Sequence, residues 1–129
     1  MYRAPMLGTT NIVAFVPVAD YDRSRAFYEG ILGLGFVKND GFAMVMDANG
    51  IMVRFVKMPN VTPPKFTILG WLVTGIERIV ADLQTRGVQF EKLGFPGQDA
   101  QGIWTAPGGD KVAWFKDPDG NVLSISQHV

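Results

Sequence analysis

Apolar and polar positions along this chain fall into short runs, and the runs come in two sets. In the first set, β-branched and aromatic residues cluster between turn formers at Asn11 to Ala19, Phe36 to Asn39, Phe42 to Met46 and Ile51 to Lys57, which predicts four strands. Between the first two lies a stretch with helical periodicity. There Phe27, Ile31 and Leu34 can share one face, Asp20 stands where an N-cap belongs, and the helix should end near Gly33. In the second set, Phe66 to Val73 leads into Ile76, Ile79, Val80 and Leu83 at helical intervals. Thr74 and Glu77 have capping-box spacing, and Gly87 supplies a left-handed stop. Strands are then predicted at Gln89 to Lys92, Ile103 to Ala106, Lys111 to Lys116 and Asn121 to Ser126.

The two sets are copies of one plan. Asp47-Ala48-Asn49-Gly50 and Asp117-Pro118-Asp119-Gly120 each open an apolar run, and the turn Gly33 to Phe36 recurs as Gly87 to Phe90. A strand, helix, three-strand unit written twice accounts for nearly the whole chain. Module one covers about residues 8–58, module two about 66–127, and the link at 59–65, with its prolines, joins them. The fold class that follows is α+β, two tandem βαβββ modules forming a cupped mixed sheet in a single domain. The helix-end match is offset by 54 residues (33 to 87) and the Asp-x-x-Gly match by 70 (50 to 120), so module two carries about 16 more residues between Phe90 and Asp117. Seven glycines and prolines mark that stretch as a long excursion. Excursions of this length in compact domains are usually functional or mobile, and Trp104 within it must bury itself against core or ligand.

Composition narrows the functional classes. At 129 residues the chain is one ordinary domain with enough length to bury a core, and without cysteine it has no disulfide. Twelve Lys and Arg balance twelve Asp and Glu with no run of one sign, so neither nucleic acid nor an anionic membrane is the expected partner. The longest apolar runs fall far short of the roughly 20 residues that span a bilayer. The first residues lack a secretory pattern, which makes the cytoplasm the default compartment.

Asp20, Arg23, Ser24 and Phe27-Tyr28, then Leu32-Gly33-Leu34-Gly35-Phe36, and finally Phe115-Lys116-Asp117-Pro118-Asp119-Gly120-Asn121 carry a family likeness over essentially the full chain. The sequence resembles the vicinal oxygen chelate superfamily, which includes glyoxalase I, extradiol dioxygenases, fosfomycin resistance enzymes and bleomycin resistance proteins. The resemblance implies a glyoxalase-like fold, commonly a homodimer, and in the metal-dependent members four ligands on the first and last strands of each unit. In this chain those four positions fall on Val13, on Ile68 (or Thr67 if the register slips by one), on Arg54 and on Ser124. None is a family ligand. Val and Ile have no lone pairs to give a cation, and the guanidinium of Arg54 is always charged and offers only donors. His128, the one histidine, lies near the end of the sequence and is expected to be a solvent-exposed residue. No metal and no cofactor are therefore expected.

The strand period of two gives the cup an apolar lining of Val13, Phe15, Met52, Ile68 and Leu72, with Arg54 and Ser124 among them. Trp104 is the tryptophan expected at the ligand, whereas Trp71 and Trp114 fit the core. Arg54 grips an anionic group of a ligand, pairs internally with Asp47 or Glu91, or lies on a strand edge turned to solvent. The expected function is metal-independent binding of a small hydrophobic or aromatic, possibly anionic, molecule, as in the bleomycin resistance branch. Two enzymatic alternatives stand beside it. One is a metal-independent lyase or isomerase in which Arg54 stabilises an oxyanion; its candidate bases are Asp47, Glu91 and Tyr28, and no nucleophile, base and orienter set emerges from spacing. The other is a metal-dependent glyoxalase- or dioxygenase-type enzyme with atypical ligands. A cup filled by its own side chains is a further, non-catalytic alternative.

Overall fold

The computed structural model describes residues 6–129. After a 3-10 turn at Leu7–Thr9, module one runs β1 (Val13–Val18), α1 (Tyr21–Tyr28), β2 (Gly35–Asn39), β3 (Met44–Ala48) and β4 (Ile51–Lys57). Module two runs β5 (Leu69–Leu72), α2 (Ile76–Thr85), β6 (Trp104–Thr105), β7 (Lys111–Lys116) and β8 (Val122–Gln127). Each module forms one four-stranded mixed sheet, in the order β1-β4-β3-β2 and β5-β8-β7-β6. The first strand of each pairs in parallel with the last, and the other pairings are antiparallel. The duplicated α+β plan expected from the sequence is the observed one.

Several elements carry the signals that predicted them. Asp20 caps α1, its carboxylate accepting the Arg23 N–H at 3.0 Å. The helical path then runs on through turns to Gly33, whose φ of +83° suits a residue without a side chain. Asn49 and Gly50, both at positive φ, form the two-residue connection from β3 to β4 that a right-twisted hairpin favours. At the end of α2, Val88 N–H reaches the Leu83 carbonyl and Gly87 N–H the Gln84 carbonyl, the two hydrogen bonds of a Schellman stop.

Other elements differ from expectation. Thr74 does not cap α2: Gly75 occupies the N-cap in the left-handed region, and the cap comes from β8. Gln127 Oε1 accepts the N–H groups of Gly75 at 2.8 Å and Ile76 at 3.0 Å. β1 is shorter than Asn11 to Ala19, and the hairpin strand expected at Phe42 to Met46 lies at Met44–Ala48, because Asp40 closes an Asx turn with Phe42 and Ala43. The strand expected at Gln89 to Lys92 is only a bridge between Phe90 and Phe115, since the excursion lifts the chain away after Glu91.

A single core serves both modules. Val16, Val18, Met46, Val53 and Phe55 point inward from the first sheet, and Ala113, Phe115, Leu123 and Ile125 from the second. Helix α1 joins them. Tyr28 packs on Phe55 of module one with ring centroids 4.5 Å apart, while Phe27 reaches Phe115 of module two at 6.4 Å. Of these, Tyr28, Phe55 and Phe115 are fully buried, and a buried side chain of this size contributes about 1.5–3 kcal/mol. Polar bonds reinforce the junction: Tyr28 donates its hydroxyl proton to Asp117 at 2.7 Å, Asn121 Nδ2 donates to the Pro17 carbonyl, and Arg23 pairs with Asp119 at 2.7 Å.

Candidate functional site

Inward-facing residues on β1 and β4 alternate with residues on the opposite, open face of the sheet. Val16, Val18, Val53 and Phe55 are buried, so Val13, Phe15, Met52 and Arg54 stand on the open face. Register places Val13 beside Met52 and Phe15 beside Arg54. The three apolar members of this set are 43%, 64% and 43% exposed for Val13, Phe15 and Met52. Arg54 does not extend freely into the space above them. Its Nη2 lies 2.7 Å from Asp40 Oδ2, and Asp40 also accepts the N–H groups of Phe42 and Ala43. The Arg54 guanidinium, followed by those two N–H groups, pulls the Asp40 carboxyl from 3.8 to about 2. Neither Asp47 nor Glu91 is the partner: Asp47 accepts the Gly50 N–H in its own turn, and Glu91 lies 3.3 Å from Lys116.

Module two holds a cavity of about 670 Å³, lined by the link and by module two alone. Phe66, Phe95 and Trp114 form its aromatic walls, with Leu93 and Val122 between them and Lys65 and Lys116 as its cations. Phe95 meets Trp114 edge to face at 5.9 Å. Trp104 packs against both, 6.0 Å from Phe95 and 6.1 Å from Trp114, and its indole N–H donates to the Pro96 carbonyl at 3.1 Å. The excursion is tied down by one side chain: Gln98 Oε1 accepts from Leu93 and Gly94, and its Nε2 donates to the carbonyls of Glu91 and Gly102. That bracing holds Phe95 and Leu93 in the cavity wall.

The seven ligand-lining residues expected from the sequence divide into separate groups. Val13, Phe15, Met52 and Arg54 share the open face of module one. Ser124, 8% exposed, stands on β8 beside Gly70, where an added Cβ would lie 3.0 Å from its Oγ. Trp104 backs the cavity wall. Ile68 packs against the core, and Thr67 lines the cavity instead, so the register at the entry to β5 is the alternative one. Leu72 is 76% exposed. Sequence reasoning passed over Phe66, Phe95, Lys65 and Lys116 and assigned Trp114 to the core. For Trp114 and Lys116 the signal was present, because on β7 they alternate with the buried Ala113 and Phe115.

The chemistry of the four family ligand positions can be tested directly. Val13, Thr67, Arg54 and Ser124 offer two neutral hydroxyls, one hydrocarbon and one guanidinium, a donor set that does not fit a divalent cation. Among the described residues, no group of three or more His, Cys, Asp or Glu side chains could hold a metal ion. Tyr28 is equally unsuited to act as a base: burial first, then the neighbouring Asp117 carboxylate, raises its phenol far above the ordinary range. No helix among the described residues is long and apolar enough to cross a membrane.

Comparison with solved structures places the fold in company. A glyoxalase family protein from Enterococcus faecalis superposes with a TM-score of 0.73 at 17% identity, covering 94% of this chain and 99% of its own. A superfamily member from Sphaerobacter thermophilus gives 0.72 at 21% identity, covering 93% and 98%. An integron cassette protein from the mobile metagenome of the Halifax Harbour sewage outfall gives 0.70 at 21% identity, covering 93% and 99%. No curated protein matches the sequence. The profile of the Glyoxalase/Bleomycin resistance protein/Dioxygenase superfamily matches residues 10–125, and the chain belongs to that superfamily.

Proposed function

We propose that this chain is a metal-independent binding protein that holds a small, flat, apolar or aromatic molecule carrying an anionic group in the cavity of module two. The observation that carries this reading is the cavity itself. Its volume of about 670 Å³ suits a small organic molecule, and Phe66, Phe95 and Trp114 offer faces and edges on which a ring can pack. Lys116 is partly offset by Glu91, whereas Lys65 has no ion-pair partner among the described residues. A carboxylate or sulfonate on the ligand would supply one. Arg54 is already engaged by Asp40, which favours the lysines as the anion's partners and takes from the lyase reading its stabilising group.

The proposed working form is a homodimer. The open face of module one leaves Phe15, Val13 and Met52 uncovered, and β1 and β5 are sheet edges. A second copy related by a two-fold axis would cover that face and close the edge liability. The binding test is titration with 8-anilinonaphthalene-1-sulfonate, a planar aromatic anion, followed by Trp fluorescence. Saturable binding is expected, lost in Trp114→Ala and weakened in Lys65→Ala; an unsaturable or absent response would remove the reading.

A further inference from the structure

His128 is exposed, as expected, and is held from both sides. Its Nδ1 lies 3.0 Å from Asp110 Oδ2, and its Nε2 lies 2.9 Å from Ser126 Oγ. Asp110 is itself fixed, because its other oxygen accepts the Val129 N–H at 2.9 Å. That N–H, followed by the His128 ring, holds the Asp110 carboxyl below its ordinary range. A carboxylate at Nδ1 selects the tautomer with its proton there and leaves the Nε2 lone pair facing the serine hydroxyl. Hydroxyl, imidazole and carboxylate thus stand in the order nucleophile, base, orienter, each within hydrogen-bond reach of the next.

The position of the set permits approach by another molecule. On β8, Leu123 and Ile125 enter the core, so Ser126 stands on the opposite face, between Val112 of β7 and Leu72 of β5. Leu72 is largely exposed and the His128 side chain is half exposed. A strand rise of about 3.3 Å per residue places Ser126 about 13 Å along β8 from Val122 in the cavity wall, so this site is separate from the cavity. The strand lies between β5 and β7, and its amides are committed to the sheet. No backbone oxyanion donor is therefore free on β8 itself, which restricts the chemistry to substrates whose leaving group is already good.

We propose that Ser126 is a nucleophile, activated by His128 and positioned through Asp110, that takes the acyl group of small activated esters. Ser126 Oγ attacks the carbonyl carbon while its proton passes to His128 Nε2. The carbon–oxygen bond to the leaving alcohol then breaks, the alcohol takes up that proton, and an acyl-serine remains beside a neutral imidazole. Water attacks the acyl carbon by the same route, releasing the acid and returning the proton to Ser126.

Incubating the full chain with p-nitrophenyl acetate, followed by intact-mass measurement and peptide mapping, tests this. One acetyl group on Ser126 is expected, absent in Ser126→Ala and formed about 100-fold more slowly in His128→Gln. Asp110→Asn should also slow it, with circular dichroism showing the fold retained. Acetylation confined to lysines, or an equal rate at Ser126 without the imidazole, overturns the proposal. A fluorophosphonate probe on the unaltered chain reads the same property without any variant: a label at Ser126 supports the proposal, and its absence from Ser126 defeats it.

Discussion

A single charge replacement shapes the open face of module one. Arg54 occupies one of the four strand positions at which the family resemblance implies a metal ligand, and it brings Asp40 into an ion pair about one quarter exposed. Because the Asp40 carboxyl titrates near 2 in the folded protein against 3.8 ordinarily, the pair adds stability above pH 3.8, and that contribution is lost as pH falls from 3.8 towards 2. Asp40→Asn should flatten the acid limb of a stability-versus-pH curve measured by urea unfolding, and an unchanged limb would show that the pair is not coupled to folding. Arg54 was legible as an anomaly, since a guanidinium cannot ligate a cation. Its partner was not legible, because the pairing depends on how the β2–β3 turn folds back over β4, and Asp40 lies in the turn rather than in a strand.

Among the elements, α2 shows how a local signal can yield to a distant one. Thr74 and Glu77 have the spacing of a capping box, yet the left-handed Gly75 starts the helix one residue later and a glutamine from the neighbouring strand supplies the acceptor. Gln127→Ala should lower stability by about 1 kcal/mol, the usual cost of an N-cap, whereas Thr74→Ala should cost little. Chemical denaturation of the two variants distinguishes them, and the reverse order would restore the capping box. The amphipathic face of α2 and its Gly87 stop were plain in the sequence because both are local. The register at Ile68 and Thr67 was not, because a one-residue slip inverts every side chain and only pairing with β8 decides it. The excursion's length was readable from the offset between the repeats, but its bracing by Gln98 joins backbone groups whose meeting no periodicity records.

At the scale of the molecule, a shared core and a set of polar bonds fasten the two modules, and the buried one joins helix α1 to the turn before β8. Tyr28, on α1, donates a hydrogen bond to Asp117 in the turn before β8, and both are almost fully buried. Asp117 takes three further bonds, from the backbone of Asp119 and Asn121 and from the Asn121 side chain. Tyr28→Phe should destabilise the fold by about 1–3 kcal/mol, because the carboxylate loses a donor it cannot replace with bulk water. An unchanged thermal midpoint would place the fastening elsewhere. The residues of this junction were among those that carried the family likeness, so the sequence displayed them without revealing that they bond to one another. The exposed apolar face of module one gives the quaternary expectation. Phe15→Glu should convert the proposed dimer to a monomer in sedimentation velocity, and a monomeric parent protein would contradict the proposal.

In the proposed function the module-two cavity binds an aromatic anion without help from a metal. Calorimetric titration of chelator-treated protein with 8-anilinonaphthalene-1-sulfonate checks this. One site per chain is expected, unaltered by added zinc or nickel and abolished in Trp114→Ala. Binding that appears only when metal is restored, or that survives intact in the variant, would contradict it.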